Sequence, residues 1–288
     1  MAIIIPEKII AVCQDHGERL RWLSRIPAVV ADLKERWSLT LGDPFDGAEV
    51  SCAWVAPVVR EDHTPAILKL GMPHMEGEDE IKALRFWDGE PTVKLLAADD
   101  DLNAMLLERC EPGTSLREVP ESEQDVVIAS LLRRLWRLVP AGHSFRPLAA
   151  MTAQWGEEAL AQAEYWRDAD LVSEGLRLFA TLPETAATQV LLASDLHAGN
   201  VLRAEREPWL VIDPKPFLGD PAYDATQHLF NCFDRLRAEP DRMIRRFAQL
   251  LELDHERVRL WTFARAAVQA GDDWRNDRWL ELARAINL

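Results

Sequence analysis

The 288-residue chain is poor in cysteine: Cys13, Cys52, Cys110 and Cys232 are scattered, with no C-x-x-C spacing. This excludes a disulfide framework or a cysteine zinc site and leaves reduced thiols suited to core packing. No apolar run approaches the length of about 20 residues that a membrane span needs. The opening Met1-Ala-Ile-Ile-Ile-Pro6 lacks a basic start and is too short for the apolar centre of a secretory leader, so a cytoplasmic protein is expected. Internal repeats and low-complexity tracts are also missing. Basic residues are in deficit, 33 Lys and Arg against 48 Asp and Glu, for a net charge of −15. Such a balance disfavours nucleic acid and anionic membranes as partners; it suits solubility, or a small cationic partner.

What is present is a polar loop set among short apolar runs. Gln189-Val-Leu-Leu enters it, Asp195-Leu-His-Ala-Gly-Asn200 forms it, and Asn200-Val-Leu leaves it; Trp209-Leu-Val-Ile then ends at Asp213. Strand, loop, strand, turn, strand brings Asp195, Asn200 and Asp213 to one edge. Turn chemistry alone would also use Asp, Gly and Asn. The order D-x4-N followed by a strand-end aspartate carries more. Phosphoryl transfer needs a carboxylate to orient and deprotonate the attacking hydroxyl, and oxygen ligands for magnesium on the phosphates. Asp195 fits the first need. Asn200 and Asp213 fit the second, since magnesium takes hard oxygen donors and few carboxylates. ATP and Mg2+ are therefore the expected cofactors.

The rest of the chain divides by period. Helical spacing runs over about residues 6–37, through Ile9, Cys13, Leu23, Val30, Leu33 and Trp37. The period then becomes two: Val50, Cys52 and Trp54 alternate, and Ala56-Pro-Val-Val and Pro65–Leu70 read as strands about the turn Glu61–Thr64. A helix is expected over Glu76–Trp87, with acidic residues in its first turn and Gly89 ending it. Val93–Leu96 and Ala104–Glu108 are further strands. Beyond the break Arg109–Gly113, helices are expected over roughly 121–139, 151–167, 170–181, 222–237, 239–253, 255–271 and 274–286. The expected fold is α+β and bilobal, like the protein kinases. Residues 1–108 form a small sheet lobe with leading helices 6–37 and one key helix, 109–113 a hinge, and 114–288 a larger, mainly helical catalytic and substrate-binding lobe.

Lys69 lies inside an apolar strand, where a lysine is either an outward edge charge or a phosphate ligand. A kinase needs such a lysine held by a helix glutamate. Glu80 is chosen because it faces away from Lys82 and Arg85, with Glu76 and Glu78 as alternatives. Adenine would meet backbone groups around Glu108 to Cys110. The loop Leu41–Gly47 could approach phosphates but matches neither G-x-G-x-x-G nor a Walker A sequence.

The run from Leu192 to Asp224, with its Ile212-Asp-Pro-Lys-Pro216 stretch, resembles the aminoglycoside phosphotransferase superfamily, within it the streptomycin and hydroxyurea phosphotransferase family. Glu80-x-x-Ala-Leu-x-x-Trp-Asp-Gly89 and Trp261-Thr-Phe-Ala-Arg265 agree with it. The resemblance implies ATP- and Mg-dependent phosphorylation of streptomycin at its 6-hydroxyl, with Asp195 as base, Asn200 and Asp213 as metal ligands, and Lys69 with Glu80 positioning phosphate. Many relatives carry His two residues before the aspartate, where this chain has Ala193. His197 is read as capping the turn, Lys215 as contacting a phosphate or, by preference, pairing with Asp220, and Asp220 and Asp224 as bracing the loop or capping a helix near Ala222. Streptomycin's two guanidinium groups call for carboxylates, for which Glu157, Glu158, Asp272 and Asp273 are candidates, with Trp155 or Trp274 as stacking faces. Hydroxyurea, another hydroxylated metabolite, or an ATP-binding pseudokinase are the competing readings. A monomer or weak dimer is expected.

Overall fold

A computed structural model describes residues 3–14, 17–47 and 52–286; Val50, expected in the first alternating strand, lies outside them. The chain forms two compact units. One comprises Met1–Thr114 with Leu202–Ile212, the other Ser115–Val201 with Asp213–Leu288. Among the described residues no helix is long and apolar enough to cross a membrane.

The first unit opens with α1 (Glu7–Cys13) and α2 (Gly17–Arg36), followed by β1 (Thr40–Leu41), β2 (Ala53–Val59), β3 (Pro65–Gly71), α3 (Glu80–Trp87), β4 (Leu95–Asp99) and β5 (Ala104–Glu108). The five strands make one sheet in the order β1-β2-β3-β5-β4. Strand alternation sends Ala66, Leu68 and Leu70 to one face, where they pack with Ile26, Val30 and Leu33 of α2. Ile67 goes to the other face, with Ile81 and Leu84 of α3 and Met105 and Leu107 of β5. Lys69 shares that second phase. The helix expected over Glu76–Trp87 is shorter: Met75–Gly77 is a single 3-10 turn and α3 begins at Glu80. Gly77, a weak helix former, falls at the end of that turn. Glu76 and Glu78 therefore precede the helix.

The second unit contains α4 (Glu121–Leu135), α5 (Leu148–Leu160), α6 (Ala169–Thr181), β6 (Val190–Leu192), β7 starting at its edge (Val201–Leu202), β9 (Phe217–Gly219), α7 (Pro221–Asn231), α8 (Phe233–Ala238), α9 (Pro240–Leu251), α10 (His255–Asp272) and α11 (Asp277–Ile286). Strand β8 (Leu210–Val211) lies in the segment that returns to the first unit. Helix α10 buries Val258, Trp261, Ala264, Ala267 and Val268, which marks it as a core helix. Gly175 of α6 lets that helix come close: a Cβ there would stand 2.6 Å from the Ala267 Cβ. The helix expected over 222–237 is broken at Cys232, whose ψ of 43° leaves the helical region between α7 and α8.

Candidate active site

In the first unit the strand lysine and the helix glutamate meet. β3 is a central strand, paired with β2 at Val55↔Lys69 and with β5 at Lys69↔Met105, so an edge charge is ruled out. Lys69 Nζ lies 2.6 and 2.7 Å from the two carboxylate oxygens of Glu80, and both side chains are buried. Glu80 is the first residue of α3, where the helix dipole favours a carboxylate. Lys82 turns instead to Asp79 and Arg85 to Asp100.

The segment after β5 is braced by a residue the sequence reading did not single out. Arg206 donates from Nε and Nη2 to the Glu108 carboxylate at 3.0 and 2.8 Å, and also binds the carbonyls of Gly89 and Thr92. Burial would raise the Glu108 pKa, but Arg206 and the Lys94 N–H hold it below the ordinary carboxylate range. The Glu108 N–H donates to the Lys94 carbonyl. Both the side chain and the N–H of Glu108 are thus engaged within the protein. Cys110 is buried, and burial pushes its thiol up to about 12, so it is inert. Gly113 has φ +75°, and its N–H donates to the Arg203 carbonyl.

In the second unit, antiparallel pairing of β6 with β9 (Leu191↔Leu218) places the Asp195 loop beside the Asp213 turn. The Lys215 N–H extends that pairing by donating to the Ala193 carbonyl at 2.9 Å, and the Ser194 hydroxyl donates to the Lys215 carbonyl. Ser194 and Asp213 both adopt positive φ, 47° and 52°, the tight backbone such a site concentrates. Buried Asp224 supports the loop from beneath: it accepts from the N–H groups of Ala193 and Ser194 and from the Trp136 indole. Burial pushes its carboxyl up to about 6 against those three donors. The loop therefore has a support that does not require a histidine at position 193. His197 Nδ1 accepts from the Gly199 N–H, a turn cap as expected.

Asp195 receives a hydrogen bond on Oδ1 from the Gln227 amide at 2.6 Å. Arg265 donates to the Gln227 oxygen at 2.9 Å and stands over the rings of Tyr223 and Phe230. Neither Gln227 nor Arg265 was assigned a role from the sequence, although Arg265 follows Trp261 by one helical turn on α10. The Asn200 side-chain N–H donates to the Asp195 carbonyl, which leaves its amide oxygen as the atom that could ligate a metal. Asp213 Oδ1 lies 2.6 Å from Lys215 Nζ. The expected Lys215–Asp220 pair does not form: Asp220 caps α7 through the Ala222 N–H and is held by Arg257 and the Trp261 indole. Those donors approach Asp220 from α10, while the short turn leaves Lys215 facing Asp213.

A pocket of about 350 Å³ adjoins this loop, walled by Gln227, Trp155, Glu158, Arg265, Asp272 and Trp279 among others. Of the four acidic candidates, Glu158 and Asp272 line it; Glu157 and Asp273 do not, each one residue out of phase on its helix or beyond its end. The Asp272 carboxyl is raised above its ordinary value by burial first, then by the neighbouring carboxylates of Glu158 and Asp273. Of the two aromatic candidates Trp155 lines the pocket, with Arg265 at 5.5 Å from its ring. Trp274 instead stacks on Tyr165 at 4.6 Å.

One family model, described as aminoglycoside/hydroxyurea antibiotic resistance kinase, matches residues 36–277. The chain belongs to this family. It is 38% identical over 275 residues to a streptomycin 6-kinase of Streptomyces glaucescens, covering 91% of this chain and 88% of that protein. It is 37% identical over 270 residues to a hydroxyurea phosphotransferase of Kitasatospora aureofaciens, covering 91% and 77%. Membership makes the chain a phosphotransferase acting on a hydroxyl group. Its fold is also that of a choline kinase from Streptococcus pneumoniae (TM-score 0.57, 12% identity, 89% of this chain and 98% of that one). A macrolide 2'-phosphotransferase from Brachybacterium faecium is similar again (TM-score 0.56, 14% identity, 90% and 98%).

Proposed function

We propose that the protein transfers the γ-phosphoryl group of ATP to the 6-hydroxyl of streptomycin and so confers resistance to that drug. The carrying observation is Gln227: one residue holds an oxygen of Asp195 and also lines the pocket that contains Glu158 and Asp272. A hydroxyl seated there meets a carboxylate already oriented. In the reaction the acceptor oxygen bonds to the γ-phosphorus, its proton passes to Asp195, and the bond to ADP breaks. Lys69, fixed by Glu80, serves the α- and β-phosphates, and main-chain groups around Glu108 to Cys110 receive adenine where the hinge 109–113 begins. Residues 1–108 then act as the nucleotide lobe and 114–288 as the catalytic and substrate lobe. The enzyme is taken to work in the cytoplasm as a monomer or weak dimer.

Mg2+ fits the donors available. The Asn200 amide oxygen and the partly exposed Asp213 carboxylate are hard oxygen ligands, the number and kind that magnesium on a nucleotide takes from a protein. Bound there, it would neutralise phosphate charge during transfer. Glu158 and Asp272 offer carboxylates to a guanidinium-bearing acceptor, beside Arg265 and Arg278 of the same wall. The hydroxyurea phosphotransferase relative keeps an uncharged acceptor as the second reading. Coupled detection of ADP release with streptomycin, hydroxyurea and a kanamycin-type aminoglycoside decides between them. Streptomycin-dependent turnover is expected; its absence, with turnover on hydroxyurea, would replace the first reading by the second.

A further inference from the structure

Arg265 of α10 lines the pocket and donates to Gln227, yet the transfer reaction, as described, gives it no task. Two other half-buried arginines of this unit face buried carboxylates, Arg235 on Asp125 and Arg257 on Asp220. Arg265 differs. Among the described residues it forms no ion pair, and its hydrogen bonds go to two neutral oxygens on consecutive residues of α7, the Thr226 hydroxyl and the Gln227 amide. Buried Asp224 draws its donors from Ala193, Ser194 and Trp136 instead. The rings of Tyr223, Phe230 and Trp155, at 4.8, 5.1 and 5.5 Å from the guanidinium carbon, border the group and limit its movement.

An amide between two polar groups can face either way, and its neighbours choose. A guanidinium only donates, and an ionised carboxylate only accepts. Gln227 lies between one of each, so its oxygen turns to Arg265 and its NH2 to Asp195 Oδ1 at 2.6 Å. Once Asp195 has taken a proton it can donate as well as accept, and Arg265 alone still dictates which way the amide points. Without Arg265 the glutamine side chain is held at one end only, its oxygen open to water or to the acceptor. We propose that Arg265 is a positioning residue: it anchors Gln227 with the N–H toward Asp195 and so keeps that carboxylate set for the acceptor hydroxyl. This rests on the reading of Asp195 as the group that takes the acceptor proton.

The test is steady-state kinetics by coupled ADP release at saturating ATP, with streptomycin, or with hydroxyurea if the wild type turns over only that. Arg265→Met, checked for an unchanged melting profile, is expected to lower kcat on the order of tenfold and leave the KM for ATP unmoved. Arg265→Lys, which keeps a donor for Gln227, is expected to retain more of kcat. A double-mutant cycle gives the result that a merely structural role would not: Arg265→Met added to Gln227→Leu lowers kcat no further, because the arginine acts through Gln227. An Arg265→Met enzyme with wild-type kcat overturns the proposal. A loss as large in the Gln227→Leu background as in the wild type overturns it too. If Arg265→Met does not fold, Arg265→Lys goes through the same cycle with the same two outcomes. Asp195→Ala separates the inference from the reading beneath it. Normal turnover there, or no turnover of either acceptor by the wild type, ends both; lost turnover there with Arg265→Met unimpaired ends only the inference.

Discussion

The Gln227 amide donates to Oδ1 of Asp195 at 2.6 Å, and its own oxygen is held by Arg265. One oxygen of Asp195, the proposed base, is thus fixed by a chain of hydrogen bonds that starts on the core helix α10. Asp195→Ala should lower kcat by a factor of about 10² to 10⁴, the range for losing a general base, while ADP affinity is kept. Gln227→Leu should lower kcat less and leave the KM for ATP unchanged. A Gln227→Leu enzyme with undiminished kcat would remove Gln227 from any positioning role.

Lys69 and Glu80 form a buried pair, so removing one partner leaves an uncompensated charge. Glu80→Ala should destabilise the first unit by about 3 to 5 kcal/mol. Glu80→Gln, which keeps a hydrogen-bond acceptor, should cost less. Urea unfolding followed by tryptophan emission, to which buried Trp54 and Trp87 of this unit contribute, measures the difference.

Buried Asp125 receives His228 Nε2 at 2.9 Å and the Arg235 guanidinium at 2.5 Å. Burial alone would raise its pKa, but these hydrogen bonds outweigh it and hold the carboxyl at about 2, below the ordinary 3.8. A depressed folded-state pKa means stability that is present above about pH 4 and lost as pH falls toward 2. The contribution is on the order of 2 kcal/mol, read as the difference in urea midpoint between pH 5 and pH 2.5. Asp125→Asn should be less stable at pH 5 and should flatten that pH dependence.

Asp272 titrates above its ordinary value because of burial and the adjacent Glu158 and Asp273 carboxylates. A guanidinium ligand binds the ionised form, so affinity for streptomycin should fall as pH drops through that raised range, at higher pH than for an exposed aspartate. Asp272→Asn and Glu158→Gln should each raise the streptomycin KM by about ten- to a hundredfold, the worth of one charged hydrogen bond, and make it less sensitive to acid. Isothermal titration between pH 4.5 and 7.5 checks the first statement, and streptomycin-dependent initial rates over the same range check the second. An unchanged KM in the double variant would place the guanidinium groups elsewhere.

Much of the site was legible because its signals are local. D-x4-N depends on one loop between two short strands, and Lys69 is marked by being polar inside an apolar run. Glu80 follows from helix phase, since Lys82 and Arg85 lie on other faces and find Asp79 and Asp100. The same local reasoning failed where several equivalent residues stood together. Glu157 and Glu158 are adjacent and alike in sequence; on a helix they point about 100° apart, and only packing of α5 decides which faces the pocket. Lys215 had two aspartates within reach along the chain, and it lost Asp220 to Arg257 and Trp261 of α10.

The sequence by itself determined the family of this protein and pointed to the carboxylate, amide and lysine proposed here for phosphoryl transfer. Tertiary structure decided how those groups are held. Asp224 under the loop, Gln227 on Asp195, Arg265 behind Gln227 and Arg206 on Glu108 join residues 30 to 98 positions apart. Periodicity shows which face of an element is buried, but a buried carboxylate's partner is chosen by the helices that close around it, and that choice is not written in any one segment.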